Sequence, residues 1–228
     1  MKKHLANTIT CLNVLAGILS IICTFQGNYT WAAYCIVIAA VFDFLDGFVA
    51  RMLHAVSAIG KELDSLCDIV SFGVAPSMMA FHYMQTQGGY WCYAALLMVA
   101  FSALRLAMFN LDERQTSSFI GLPTPANAIF WAFGIAGMTT FGQIEAWIIA
   151  LLCVVFSWLL VSPLPMFSLK FKNLHYKDNA LRYIFLAGCI ILIIWMKSFG
   201  FALSILWYIL LCLLHLILKK SLAEKRKN

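Results

Sequence analysis

Residues 29–53 read Y29-T-W-A-A-Y-C-I-V-I-A-A-V-F-D43-F-L-D46-G47-F-V-A50-R51-M-L53. A membrane-spanning helix takes roughly 20 mainly apolar residues, so this stretch is long enough to cross a bilayer. Residues 29–42 carry no charged side chain. Two aspartates then follow near the end. An acidic residue at the centre of a spanning helix costs about 2.5–3.5 kcal/mol on the insertion scale, less toward an end. The stretch therefore predicts a membrane helix that keeps two acids near one interface and needs something to compensate them.

The rest of the chain agrees with a membrane setting. Of its 228 residues, 63% are hydrophobic and 11% charged, with a mean hydropathy of +0.87. Soluble chains carry about 45–50% apolar and about 25% charged residues. A soluble domain could not bury so much apolar surface, and disorder is excluded for the same reason. The fold class expected is an all-α polytopic membrane bundle, one domain over residues 1–228. Eight spans are expected: 8–26, 29–53, 60–84, 90–111, 123–141, 145–168, 180–198 and 200–218. The run after Met1-Lys-Lys-His superficially resembles a signal peptide. Asn7, Thr8, Thr10 and Asn13 interrupt it and no small-residue cleavage site follows, so it reads as a retained first helix.

Basic residues give the orientation. With the N-terminus in the cytoplasm and eight crossings, the C-terminus is cytoplasmic too. The inner side then receives Lys2, Lys3, Arg51, Lys61, Arg105, Arg114, Lys170, Lys172, Lys177, Arg182, Lys219, Lys220, Lys225, Arg226 and Lys227, and the outer side only Lys197. The outer connections hold Trp31, Tyr90, Trp91 and Trp147, as an interfacial aromatic belt would. The net charge of +6 does not indicate nucleic acid, because the basic residues sit at segment ends and not in one patch. The 8 cysteines are scattered without a C-x-x-C spacing and read as small buried apolar residues.

One cluster of charge departs from this pattern. Asp43, Asp46, Gly47 and Ala50 share a helix face, with Arg51 at its edge, and Gly60, Asp64, Cys67, Asp68 and Ser71 form a second stripe. A short turn, His54 to Ile59, brings the two stripes together just inside the cytoplasmic interface. Four clustered carboxylates stay ionised together only with cations among them. An all-oxygen set suits Mg²⁺, Mn²⁺ or Ca²⁺, and such ions bind pyrophosphate and assist phosphoryl transfer. Two plainer readings compete: ion pairs of Asp46 with Arg51 and Asp64 with Lys61, or a divalent-cation transport pathway. The pairs leave two aspartates and the glycines unexplained, and no acids continue the path to the other face.

The pattern D43-x2-D46-G47-x2-A50-R51-x8-G60-x3-D64-x3-D68 resembles the signature of the CDP-alcohol phosphotransferase family at every fixed position. The run Asp64-Ser-Leu-Cys-Asp68-Ile-Val-Ser71-Phe-Gly73-Val-Ala-Pro76 is similar to that of the bacterial phosphatidylserine synthase branch. So are Arg105-Leu-Ala-Met-Phe109-Asn110 and Gly121-Leu-Pro123-Thr-Pro125-Ala-Asn127, although Met108 stands where that branch often has a basic residue. The last helices, about 180–218, add little to the likeness and read as accessory.

This resemblance implies transfer of the phosphatidyl group of CDP-diacylglycerol to the hydroxyl of L-serine, releasing CMP. It implies metal, Mg²⁺ or Mn²⁺ as a pair of ions, on Asp43, Asp46, Asp64 and Asp68, with Asp68 as general base. Gly47, Ala50, Arg51 and Gly60 would receive the CDP-lipid, with Arg51 on a phosphate or orienting an aspartate. Arg105, too deep in its helix for a casual surface charge, is the leading candidate for the serine carboxylate, unless it snorkels to the cytoplasmic face. Lys61, Ser71, Asn110 and Asn127 are further candidates, and Asn110 equally reads as a helix cap. Pro76 is expected to kink the third span, and Pro123 and Pro125 to start the fifth. A homodimer in the cytoplasmic membrane, its site facing the cytoplasm, is implied as well. Other acceptors, glycerol 3-phosphate or inositol phosphate, stay open.

Overall fold

The computed structural model describes residues 2–55, 57–111, 119–167 and 176–225. Arg114, Lys170, Lys172, Arg226 and Lys227 of the orientation argument lie outside them. The described residues form α1 (Lys2–Phe25), α2 (Tyr29–Met52), α3 (Ala58–Asp68), α4 (Ala75–Gln85), α5 (Leu96–Leu111), α6 (Thr124–Phe141), α7 (Ala146–Val161), α8 (Tyr176–Met196) and α9 (Ser198–Lys225). Helices α3 and α4 are one rod, Ala58–Gln85, and α5 is extended at its start to give Trp91–Leu111.

Among the described residues, six rods are long and apolar enough to cross a membrane: His4–Phe25, Tyr29–Met52, Ala58–Gln85, Trp91–Leu111, Asn179–Met196 and Ser198–Lys219. This is an integral membrane protein. The stretches expected as the other two spans are helical, as α6, of 18 residues, and α7, of 16, and are not among these six. Large apolar side chains such as Phe44 and Trp195 are exposed, at 67% and 77%, which lipid rather than water accounts for. Trp31, Tyr90, Trp91 and Trp147 are exposed as well, as interfacial anchors should be.

Helix α6 is the innermost. Phe130, Trp131, Phe133 and Ile135 are buried, so its apolar character runs all round. Small residues let neighbours approach it: Gly137 faces Phe199 of α9, whose ring an added Cβ would strike, and Gly134 faces Ala202. Helices α1 and α2 pack along one another, tied by a hydrogen bond of 2.9 Å from Ser20 Oγ to Ala32 O.

Two boundaries differ from the sequence expectation. The predicted helix 145–168 stops at Val161. Ser162 precedes Pro163, which forces extended backbone (ψ 148°), and residues Pro165–Met166 instead pair antiparallel with Phe119–Ile120. At Pro76, where a kink is expected, the structure shows a local change of helix type within one continuous rod. Residues Ile69–Val74 are a π-helical segment in which the Ala75 N–H reaches back five residues to Val70 O. The wider turn absorbs the missing N–H and the ring of the proline that follows. Pro123 and Pro125 do open α6, at its cap and in its first turn.

Gly121 closes the short β pairing against α7 at φ +75°, and an added Cβ would overlap the Leu160 carbonyl. Left-handed strain and a backbone clash each cost about 1–3 kcal/mol. Gly121→Ala is expected to lower the thermal midpoint in detergent by several degrees, measured by intrinsic fluorescence.

Candidate active site

Two local features fix the site. Ser57 caps α3, its hydroxyl accepting the Gly60 N–H at 3.1 Å, and so sets where the third rod starts. Helix α2 ends at Met52, so the acidic stripes of α2 and α3 sit on either side of one turn.

Asp43, Asp64 and Asp68 each offer a carboxylate oxygen within 4.8 Å of the other two. Asp68 is 8% exposed, and one oxygen of Asp64 is buried without a hydrogen-bond partner among the described residues. A charge-dense, oxygen-only group with an unpaired buried oxygen fits a hard divalent cation. Asp46, also buried, lies beside this trio rather than in it: its Oδ2 has no partner among the described residues, and the Thr10 hydroxyl sits close to its carboxylate.

A cavity of about 210 Å³ adjoins these acids, lined by Asp46, Gly47, Ala50, Arg51, Gly60, Lys61 and Asp64, and from α1 by Asn7 and Thr10. All four residues that the resemblance suggests for the CDP-lipid thus line this one cavity, three from α2 and Gly60 from α3. The two glycines differ in their surroundings. An added Cβ on Gly47 would lie in ordinary contact with Arg51 Nη1, 3.4 Å away, so the guanidinium folds back beside this glycine without depending on it. One on Gly60 would lie 3.1 Å from the capping Ser57 hydroxyl and 3.5 Å from Asn7 Oδ1. Gly60→Ala is therefore expected to disturb the cap and weaken CDP-lipid binding several-fold, checked by equilibrium binding of a fluorescent CDP-lipid.

The candidates for serine do not form one group. Arg105 is turned inward, only 7% exposed, which excludes the snorkelling alternative. Its Nη1 donates to Thr124 Oγ1 at 3.3 Å, its Nε has no partner among the described residues, and Asp68 is near enough to act on it electrostatically. It lines a small cavity with Met108, Phe109, Ile120, Leu160, Val161 and Ser162. Asn127, one turn along α6 from Thr124, is fully buried, and neither of its side-chain polar atoms has a partner among the described residues. Lys61 lies elsewhere: its Nζ donates to Asn110 O at 2.9 Å, capping the end of α5, while Asn110 Nδ2 donates to Ser65 Oγ at 2.8 Å. That contact turns Lys61 toward α5 and away from the ion pair with Asp64 considered above. Ser71 is buried, its hydroxyl donating to Asn13 O at 3.0 Å.

Sequence reasoning treated Asn7, Thr10 and Asn13 only as interruptions of an apolar run. The structure puts the first two in the cavity wall and bonds Asn13 Nδ2 to Asp68 Oδ1 at 3.0 Å. The available signal was their spacing, which places them on one face of α1 with Gly17.

Comparisons with known proteins bear on this arrangement. A family profile described as CDP-alcohol phosphatidyltransferase matches residues 3–160. Three relatives carry the name CDP-diacylglycerol–serine O-phosphatidyltransferase. That of Helicobacter pylori is 38% identical over 126 residues, 54% of this chain and 53% of that protein. That of Bacillus subtilis is 41% identical over 120 residues, 51% of this chain and 67% of that protein. That of Methanocaldococcus jannaschii is 30% identical over 207 residues, 90% of each. The chain thus spans about half the length of the Helicobacter protein and most of the archaeal one. The matched region contains every helix that contributes to the carboxylate trio and the cavity beside it, and on these grounds the chain belongs to the CDP-alcohol phosphatidyltransferase family.

Proposed function

We propose that this protein transfers the phosphatidyl group of CDP-diacylglycerol to the hydroxyl of L-serine, forming phosphatidylserine and CMP. The observation that carries the reading is the carboxylate trio of Asp43, Asp64 and Asp68 beside a cavity walled by Gly47, Ala50, Arg51 and Gly60. The names of the relatives supply the acceptor.

The chain's own residues divide the work. Gly47 and Gly60 leave room for the cytidine and diphosphate against the backbone, and Arg51 pairs with a phosphate oxygen. Asp43, Asp46, Asp64 and Asp68 would hold Mg²⁺ or Mn²⁺. A divalent cation bound there neutralises the diphosphate and the negative charge that develops during transfer. Arg105 binds the serine carboxylate. Asp68 accepts the hydroxyl proton as the serine oxygen bonds to the lipid-attached phosphorus. The bond from that phosphorus to the CMP oxygen breaks, and CMP leaves with its electron pair.

Eight crossings with both termini cytoplasmic, a site open to the cytosol and a homodimer complete the proposal. A polar cavity at one membrane face lets the diacylglycerol tails stay in lipid while serine and CMP exchange with water.

The test is a panel of acceptors. Purified protein in detergent receives CDP-diacylglycerol, Mn²⁺ and, in turn, labelled serine, glycerol 3-phosphate or inositol phosphate. Labelled lipid is expected with serine alone. Product with a different acceptor only would overturn the substrate assignment, and Mn²⁺ uptake into proteoliposomes without lipid substrate would favour a transporter.

A further inference from the structure

The geometry points to Asn13 as the positioning residue for Asp68, an inference that rests on the base assignment above. Asn13 lies on α1, 55 residues from Asp68 in sequence, and is fully buried. Its Nδ2 donates to Asp68 Oδ1 at 3.0 Å, while its own Oδ1 is buried with no partner among the described residues. Leaving a buried polar atom unsatisfied costs about 1–3 kcal/mol. An apolar side chain of the same shape would pack here without that cost. Among the described residues, the one side-chain bond this amide makes is to the proposed base.

The backbone around it is held in place. Ser71, on the π-helical segment just after Asp68, donates to the main-chain oxygen of Asn13 at 3.0 Å. Gly17, one turn further along α1, approaches Ser71 so closely that an added Cβ would lie 2.5 Å from its hydroxyl oxygen. Helix α1 is therefore clamped against the segment that carries Asp68, and the amide is delivered to the carboxylate from a rigid position. One carboxylate oxygen is occupied and the torsion of the group fixed, so the other oxygen stays where a hydroxyl proton can be taken. Loss of such support around a metal ligand typically costs about 10–100-fold in affinity or activity.

The test compares Asn13→Leu, Asn13→Ser and Ser20→Ala with the wild type. Leu keeps the volume and removes the donor, Ser keeps a short donor, and Ser20→Ala removes a buried α1–α2 hydrogen bond remote from the carboxylates. Asn13→Leu is expected to lower kcat by about 10–100-fold with both KM values within about twofold and the thermal midpoint held. Asn13→Ser is expected to recover part of that loss, and Ser20→Ala to keep wild-type turnover. A Mn²⁺ titration followed by electron paramagnetic resonance needs no substrate, and Asn13→Leu should bind Mn²⁺ more weakly than either the wild type or Ser20→Ala. Wild-type turnover and Mn²⁺ affinity in Asn13→Leu would overturn the inference. So would a loss confined to KM, or one tracking the thermal midpoint. A wild type using a different alcohol, or none, counts against the proposed reaction instead, and the Mn²⁺ titration then decides the role of Asn13.

Discussion

Asp68→Asn is expected to reduce turnover by about 10²–10⁴-fold while CDP-lipid binding stays measurable, because general-base catalysis contributes that much. The substitution isolates chemistry from folding. The asparagine carbonyl oxygen can still accept the Asn13 Nδ2 bond that Asp68 Oδ1 accepts at 3.0 Å, and the side-chain volume hardly changes in a position only 8% exposed. What is lost is one negative charge and the ability to take a proton. The cavity wall of Asp46, Gly47, Ala50, Arg51 and Gly60 is untouched, so the nucleotide end of the lipid still docks. Single-turnover kinetics beside equilibrium binding of a fluorescent CDP-lipid checks the pair of outcomes. Loss of binding with residual turnover intact would reverse the roles given to Asp68 and the cavity.

Arg105→Met should act on the other substrate. A hydrogen bond to a charged group is worth about 1.5–3 kcal/mol, so the KM for serine should rise by about 10–150-fold while that for CDP-diacylglycerol moves little. The guanidinium is buried, its Nε without a partner among the described residues and a hydroxyl, Thr124 Oγ1, as the acceptor for Nη1. Removing a buried cation so held need not destabilise the fold, so an unchanged or raised thermal midpoint is expected with the raised KM. Initial rates over a serine titration at saturating CDP-lipid measure it. A changed CDP-lipid KM at constant serine KM would move Arg105 to the nucleotide side.

What was legible in the sequence followed from where charge is costly. Asp43, Asp46, Asp64 and Asp68 stood out because carboxylates in apolar helices need compensation, and helical spacing put them on facing stripes. The π-helical segment before Pro76 and the early end of α7 were not legible. Both depend on how backbone around a proline is accommodated by its neighbours, although Pro163 and Pro165 were there to be weighted more heavily. Lys61 and Asn110 were grouped with Arg105 because polar residues near one interface look alike in a sequence. Only packing shows that the first two bond to each other's helix while Arg105 faces inward. Asn13 was hidden for a related reason: its partner is 55 residues away, and a lone amide in an apolar run carries no sign of what it will meet.

The proposed reaction is tested most sharply by the ratio of CMP released to serine incorporated into lipid, measured with the wild type and with Asp43→Asn in the same proteoliposomes. One CMP per phosphatidylserine in the wild type, with both products lost together in Asp43→Asn, is the predicted result. CMP released without serine entering lipid, or phosphatidylserine formed at the wild-type rate by Asp43→Asn, would contradict it.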